Sequence, residues 1–227
     1  MQSWTNYCLN YAPIITQAWN KQSQTGINPH IGLLYLLLRT RVAIIAPVGK
    51  NMKKYWKYIA IILAAIVADQ ITKSILLYFI TGTVPFAGSA WDVVPVPYLM
   101  AHVCDFFNIV FTWNPGASFS MLRNLGEAAP IIIIIATGFI IGFIGYYLFA
   151  RAPKYERAPL ALVVGGAVGN LIDRARFGAV IDFLDFHVGG WHWPAFNVAD
   201  MCIVIGVAWL ILNFVLARRR CMRECEK

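Results

Sequence analysis

From residue 55 onward, long apolar runs broken at a few charged positions dominate the chain. The run Ala128–Ala150 holds no charge and contains the isoleucine stretch 131–135, and it exceeds the ~20 residues that a helix needs to cross hydrocarbon. Residues 55–80 and 198–217 are as long but enclose Asp69, Lys73 and Asp200. A fourth run, 158–172, is shorter and Gly-rich, and reaches membrane length only by continuing through Asp173 and Arg174. The pattern predicts four transmembrane helices, over about residues 55–80, 128–150, 158–177 and 198–217. Two longer segments without a spanning run, 81–127 and 178–197, connect the first run to the second and the third to the fourth.

Lysine and arginine lie beside these runs. Lys53, Lys54 and Lys57 sit at the start of the first; Arg151, Lys154 and Arg157 join the second to the third; Arg218, Arg219, Arg220 and Arg223 follow the fourth. In 81–127 the only such residue is Arg123, and 178–197 has none. The bias predicts cytoplasmic termini and leaves both connecting segments outside.

Composition agrees. The 227 residues are 59% hydrophobic and 13% charged, with a mean hydropathy of +0.61, against about 45–50% apolar and about 25% charged for a soluble domain. The net charge of +8 does not signal nucleic acid, because no basic face interleaved with aromatics accompanies it. The five cysteines lack framework spacing, and Cys221 and Cys225 fall in the basic tail, so neither a disulfide scaffold nor a zinc knuckle is expected.

Residues 1–51 do not match the rest. They are polar as far as His30, and their apolar run 31–38, broken by Arg39 and Arg41, is too short to span. No small-residue cleavage site follows it, so it fits a signal peptide poorly. Met52-Lys53-Lys54-Tyr55-Trp56-Lys57 reads like a natural start. The expected organisation is a dispensable extension or mis-assigned start over 1–51, a membrane domain over 52–217 and a basic cytoplasmic tail over 218–227.

Ionisable groups within membrane helices are functional candidates, since each costs a few kcal/mol unless it is paired or faces a wet cavity. Asp69 and Lys73, at i and i+4, share a helical face; they read either as an ion pair orienting the first helix or as chemistry. In Gly165-Gly166-Ala167-Val168-Gly169-Asn170-Leu171-Ile172-Asp173-Arg174 the glycines permit close helix approach, and Asn170, Asp173 and Arg174 fall on one face as a polar cluster. Spacing does not decide whether that cluster holds the fold or touches substrate. Asp182 follows the third helix, and Asp200 stands in the first turn of the fourth, where Asn197 is a candidate N-cap. These two carboxylates bracket an aromatic stretch that suits the bilayer interface, with Asp185 as a competitor for Asp182.

Other chemistries fit less well. A zinc site on His187 and His192 with the aspartates matches no His-Glu-x-x-His type motif. Ser118 and Ser120 lack a Gly-x-Ser-x-Gly surround, and Cys202 reads as packing. A transporter or proton carrier using Asp69, Lys73 and Asp200 would call for internal repeats, which are absent. A presenilin-type protease would need Gly-x-Gly-Asp, whereas Gly189-Gly190 precedes Trp191.

Five segments together resemble the lipoprotein signal peptidases: Asp69-Gln70-Ile71-Thr72-Lys73, Asn114-Pro115-Gly116-Ala117-Ser118-Phe119-Ser120, the Gly165 to Arg174 segment, Val180-Ile181-Asp182-Phe183 and Phe196-Asn197-Val198-Ala199-Asp200. The resemblance covers about residues 52–216. It implies a mainly α, polytopic membrane protein with four spans and a small extracytoplasmic β-cradle within 81–127, to which Phe106 through Trp113 would contribute a strand. It further implies a membrane aspartyl endopeptidase that cuts diacylglyceryl-modified prolipoproteins just before the lipidated cysteine, with Asp182 and Asp200 as the catalytic pair. Asp69, Lys73, Asn114, Gly116, Asn170, Asp173, Arg174 and Asn197 carry over as supporting or substrate-binding residues. No metal or organic cofactor is implied. The expected partners are lipid-modified prolipoproteins and membrane lipid, with the enzyme acting as a monomer in the bacterial inner membrane.

Overall fold

A computed structural model describes residues 55–94, 98–116 and 128–225. Residues 1–51, together with Ser118, Ser120 and Arg123, lie outside the described residues. In chain order the elements are α1 (Trp56–Thr81), the single turn α2 (Ala90–Val93), β1 (Tyr98–Cys104), β2 (Phe107–Asn114), α3 (Ala128–Ala150), α4 (Lys154–Phe177), β3 (Val180–Val188), β4 (Trp191–His192) and α5 (Val198–Cys225). Residues 50–211 form one unit, to which all the packing below belongs; residues from Leu212 on fall in another. The last helix runs on to Cys225, through most of the stretch expected as a tail.

The described residues are mainly helical, and among them three helices are long and apolar enough to cross a membrane: Trp56–Thr81, Pro130–Ala150 and Val198–Arg219. The fourth, α4, has 24 residues but carries Lys154, Glu156, Arg157, Asp173, Arg174 and Arg176. Its surroundings account for the difference. Helix α4 packs against α1 and α3, and its glycines bring backbones together. A Cβ added at Gly165 would stand 2.7 Å from Ala65 Cβ and 2.9 Å from the Ile62 carbonyl oxygen of α1. At Gly166 it would collide with the Ala199 carbonyl oxygen of α5, and at Gly206 of α5 it would lie 2.7 Å from the Pro159 carbonyl oxygen. A helix covered by its neighbours need not present an apolar surface to lipid. Helix α3 does present one: Ile135, Phe139 and Phe143 are each about two-thirds exposed or more.

Helix α4 ends in a left-handed cap at Gly178 (φ 76°), whose N–H donates to the Arg174 carbonyl at 2.9 Å. The turn delivers the chain into β3. The sheet is antiparallel in the order β1-β2-β3-β4, with Thr112 opposite Asp182, Asn114 opposite Val180 and Asn108 opposite Asp185. Its strand β2 lies where Phe106 through Trp113 was expected to form one.

The segment 178–197, expected as an outer loop, instead supplies two of the four strands. Period-2 alternation did not reveal β3 because Val180, Ile181, Asp182 and Phe183 are all buried, so both faces of the strand are covered at its start. After β4, Phe196 exchanges backbone hydrogen bonds with Leu184, its N–H to the Leu184 carbonyl at 3.1 Å and the Leu184 N–H to its own carbonyl at 2.8 Å. Asn197 is thereby carried next to Asp182. An apolar cluster of Leu77, Val94, Phe111, Trp113, Phe177, Ile181 and Phe183 joins the sheet to the ends of α1 and α4.

Candidate active site

The carboxylate of Asp200 sits on the first turn of α5, in a reciprocal cap. Asn197 Oδ1 accepts from the Asp200 N–H at 2.9 Å, and the Asn197 N–H donates back to Asp200 Oδ2 at 3.4 Å. This cap fixes which way the Asn197 amide points, and its Nδ2 faces inward. That nitrogen donates to Asp182 Oδ1 at 2.7 Å, to the Ile181 carbonyl at 3.2 Å and to Asn170 Oδ1 at 3.1 Å. Asn170 in turn donates from Nδ2 to Asp200 Oδ1 at 2.8 Å. The two aspartates are therefore joined through two asparagine side chains.

Asp182 is almost wholly buried, and its other oxygen, Oδ2, accepts from Asn114 Nδ2 at 2.9 Å. Burial is the chief cause that pushes its carboxyl up to about 6; the charge of Asp200 adds to it, while the hydrogen bonds from Asn114 and Asn197 oppose it. Gly116, at φ 96°, donates its N–H to Asn114 Oδ1 at 2.8 Å, which orients the Asn114 amide toward Asp182.

Beneath the pair lies a buried ionic layer. Lys73 Nζ contacts Asp69 Oδ2 at 2.8 Å, Asp173 Oδ2 at 2.7 Å and Asn170 Oδ1 at 3.1 Å. Asp69 Oδ1 accepts from the Ala199 N–H at 2.9 Å, so an acid from α1 caps α5. Asp173 Oδ2 accepts from the Ile181 N–H at 3.3 Å, which holds the backbone leading into Asp182. Arg174 has Asp200, Asp182 and Asp173 as electrostatic neighbours. Its Nε is buried without a hydrogen-bond partner among the described residues.

Asp185 belongs to a different arrangement. It pairs with His192 Nδ1 at 2.9 Å and accepts from Asn108 Nδ2 at 3.0 Å, and Asn108 in turn meets His102. Burial acts to raise its carboxyl, but these hydrogen bonds outweigh it and hold Asp185 below the usual range. His187 stacks on His192 at 5.0 Å rather than converging with Asp182 or Asp200.

The profile of the signal peptidase (SPase) II family matches residues 61–216. The chain belongs to this family. Among relatives of this signal peptidase II chain, the lipoprotein signal peptidase of Paraburkholderia phymatum is 42% identical over 181 residues, covering 74% of this chain and 90% of its own. That of Francisella tularensis subsp. novicida is 36% identical over 167 residues, covering 72% and 94%. Two solved bacterial membrane enzymes, described at 1.9 Å and 2.3 Å resolution, share the fold with TM-scores of 0.53. They are 28% and 26% identical; each covers 70% of this chain, and 92% and 87% respectively of their own.

All ten site residues proposed from sequence lie inside the family match, and the structure gathers them between the C-terminal halves of α1 and α4, the sheet and the start of α5. Two participants escaped the sequence reading. Gln70 donates to Asp173 Oδ1 at 2.8 Å, and Arg176 donates to Gln70 Oε1 at 3.2 Å. Gln70 lies within a quoted motif, but an uncharged amide beside Asp69 draws no notice. Arg176 reads as an ordinary basic residue in a last helical turn.

Proposed function

We propose that this chain is an aspartic endopeptidase that removes signal peptides from diacylglyceryl-modified prolipoproteins, cutting just before the lipidated cysteine. The observation that carries the reading is the join from Asp182 through Asn197 and Asn170 to Asp200. Two carboxyls joined in one hydrogen-bonded network can divide the roles of base and acid, and burial together with the charge of Asp200 raises the proton affinity of Asp182.

In the cleavage step the ionised carboxylate takes a proton from water, and the water oxygen bonds to the scissile carbonyl carbon. The protonated partner then gives its proton to the amide nitrogen as the C–N bond breaks. The products are the signal peptide carboxylate and the free amine of the lipidated cysteine. The buried Nε of Arg174 is a candidate donor to the substrate carbonyl. No metal or organic cofactor enters this scheme.

The full reading has α4 as a fourth span, both termini in the cytoplasm and the site on the extracytoplasmic side, with the enzyme acting as a monomer. The lysine and arginine bias supports it. A site at that surface suits a substrate whose acyl chains stay in lipid while its cleavage point meets water. Family membership does not favour the transporter reading of Asp69, Lys73 and Asp200.

The test is cleavage of a diacylglyceryl-modified prolipoprotein by purified protein, beside its unmodified precursor. Wild type should cut the modified form alone, and Asp182→Asn and Asp200→Asn should insert in the membrane yet cut neither. Undiminished cleavage by either variant would refute the aspartic assignment, and equal cutting of both precursors would refute the substrate.

A further inference from the structure

Arg176 makes no contact with the aspartate pair, yet most of its hydrogen-bonding capacity is spent. Its Nε donates to the Phe86 carbonyl at 2.8 Å, Nη2 to the Pro85 carbonyl at 2.7 Å and Nη1 to Gln70 Oε1 at 3.2 Å. Its own carbonyl accepts from the Gly88 N–H at 3.0 Å. The guanidinium thus pins the outer segment 85–88, beyond the end of α1, to the last turn of α4.

Gln70 relays this contact inward. With Oε1 toward the guanidinium, its Nε2 donates to Asp173 Oδ1 at 2.8 Å and to the Gly169 carbonyl at 3.2 Å. The reverse orientation of the amide would set Nε2 against the Arg176 donors and Oε1 against the Asp173 carboxylate. A glutamate would add a third carboxylate beside Asp69 and Asp173. The amide, which accepts at one atom and donates at the other, connects an arginine on one side to a carboxylate on the other. Asp173, so oriented, holds the Ile181 N–H, one residue before Asp182.

We infer that Gln70 and Arg176 are positioning residues for peptide cleavage: acting through Asp173, they set the backbone from which Asp182 projects and tie it to the outer segment 85–88. The inference rests on the proposed function and adds two residues to its machinery. It separates them from the acid–base pair, since neither touches the reacting atoms. Effects of this kind, in which a remote change displaces a catalytic group by a fraction of an ångström to an ångström, reach about a hundredfold in rate.

The experiment compares full-length wild type with Gln70→Met, Arg176→Gln, Arg176→Lys and the Gln70→Met/Arg176→Gln pair. Cleavage of the lipid-modified prolipoprotein is read per folded enzyme across pH, with a thermal melt beside it. Gln70→Met and Arg176→Gln should each lower kcat by roughly ten- to a hundredfold with little change in KM. Both should also move the high-pH limb downward, because Asp182 on a loosened strand is better solvated. The double variant should be no slower than the worse single one, since both act along one chain of contacts. Arg176→Lys, which keeps one donor for Gln70, should recover part of the rate; it also carries the test should Arg176→Gln fail to insert.

Variants that melt early but match wild type in kcat and in pH profile would reduce both residues to scaffolding and overturn the inference. Fully additive losses in the double variant would overturn the shared path. Failure of wild type to cut the substrate would instead remove the proposed function, and this inference with it.

Discussion

Helices α3 and α4 both contain three glycines, yet the two sets do opposite things. Around Gly138, Gly142 and Gly145 of α3 there is open space, and a methyl group at any of them would meet nothing within 4 Å. Around Gly165, Gly166 and Gly169 of α4 it would meet Ala65, Ala199 and Asp69 at less than ordinary contact distance. The apolar helix is the peripheral one, and the charged helix is the centre of the packing. In this chain hydropathy measures exposure to lipid rather than depth in the fold, because between packed helices a close backbone does what a large apolar side chain does in a water-soluble core.

The sharpest way to break this contrast is to unbalance the charge that α4 shares with α1. Lys73→Met leaves Asp69 and Asp173 facing each other with no cation, and removing one partner from a buried ionic group costs about 3–5 kcal/mol. Little folded protein should survive extraction, as size-exclusion chromatography would reveal; a wild-type profile would mean that the α4 charges need no neighbour. Gly166→Ala comes next. It forces α4 away from the Ala199 carbonyl and should cost about 1–3 kcal/mol in a thermal melt, with activity falling further because the backbone it displaces belongs to the first turn carrying Asp200.

Asn114→Leu carries the comparison into the chemistry with a smaller effect. The lost hydrogen bond had favoured ionised Asp182, so its affinity for a proton rises above the value of about 6 and the high-pH limb of kcat/KM should move upward. A downward move would show that solvent entry outweighs the missing bond. The mildest change is Gly142→Ala in α3, expected to leave activity alone and to shift stability by no more than about 1 kcal/mol, toward greater stability. A loss as large as that of Gly166→Ala would erase the distinction between the helices.

Much of this was legible in residue order. Long apolar runs locate α1, α3 and α5, and spacing alone puts Asp69 with Lys73 and Asn170 with Asp173. The strand β3 was not legible, because burial on both faces removes the alternation by which strands are recognised. The separation of Asp182 from Asp185 was also hidden: three residues apart on a strand, they point to opposite faces, and only the partners of each distinguish them. Arg176 could not have been singled out, since two of its three acceptors are backbone carbonyls some ninety positions away, and carbonyls are the same at every residue.

Asn197 leaves natural variation almost no room. Serine, threonine or aspartate would serve the end of α5 as a cap, but none carries the amide nitrogen that Asp182 and Asn170 accept from. Glutamine has the nitrogen but is one carbon too long for the cap. Lineages drifting at this position would lose either the helix start or the join between the aspartates, so selection should hold it to a single amino acid.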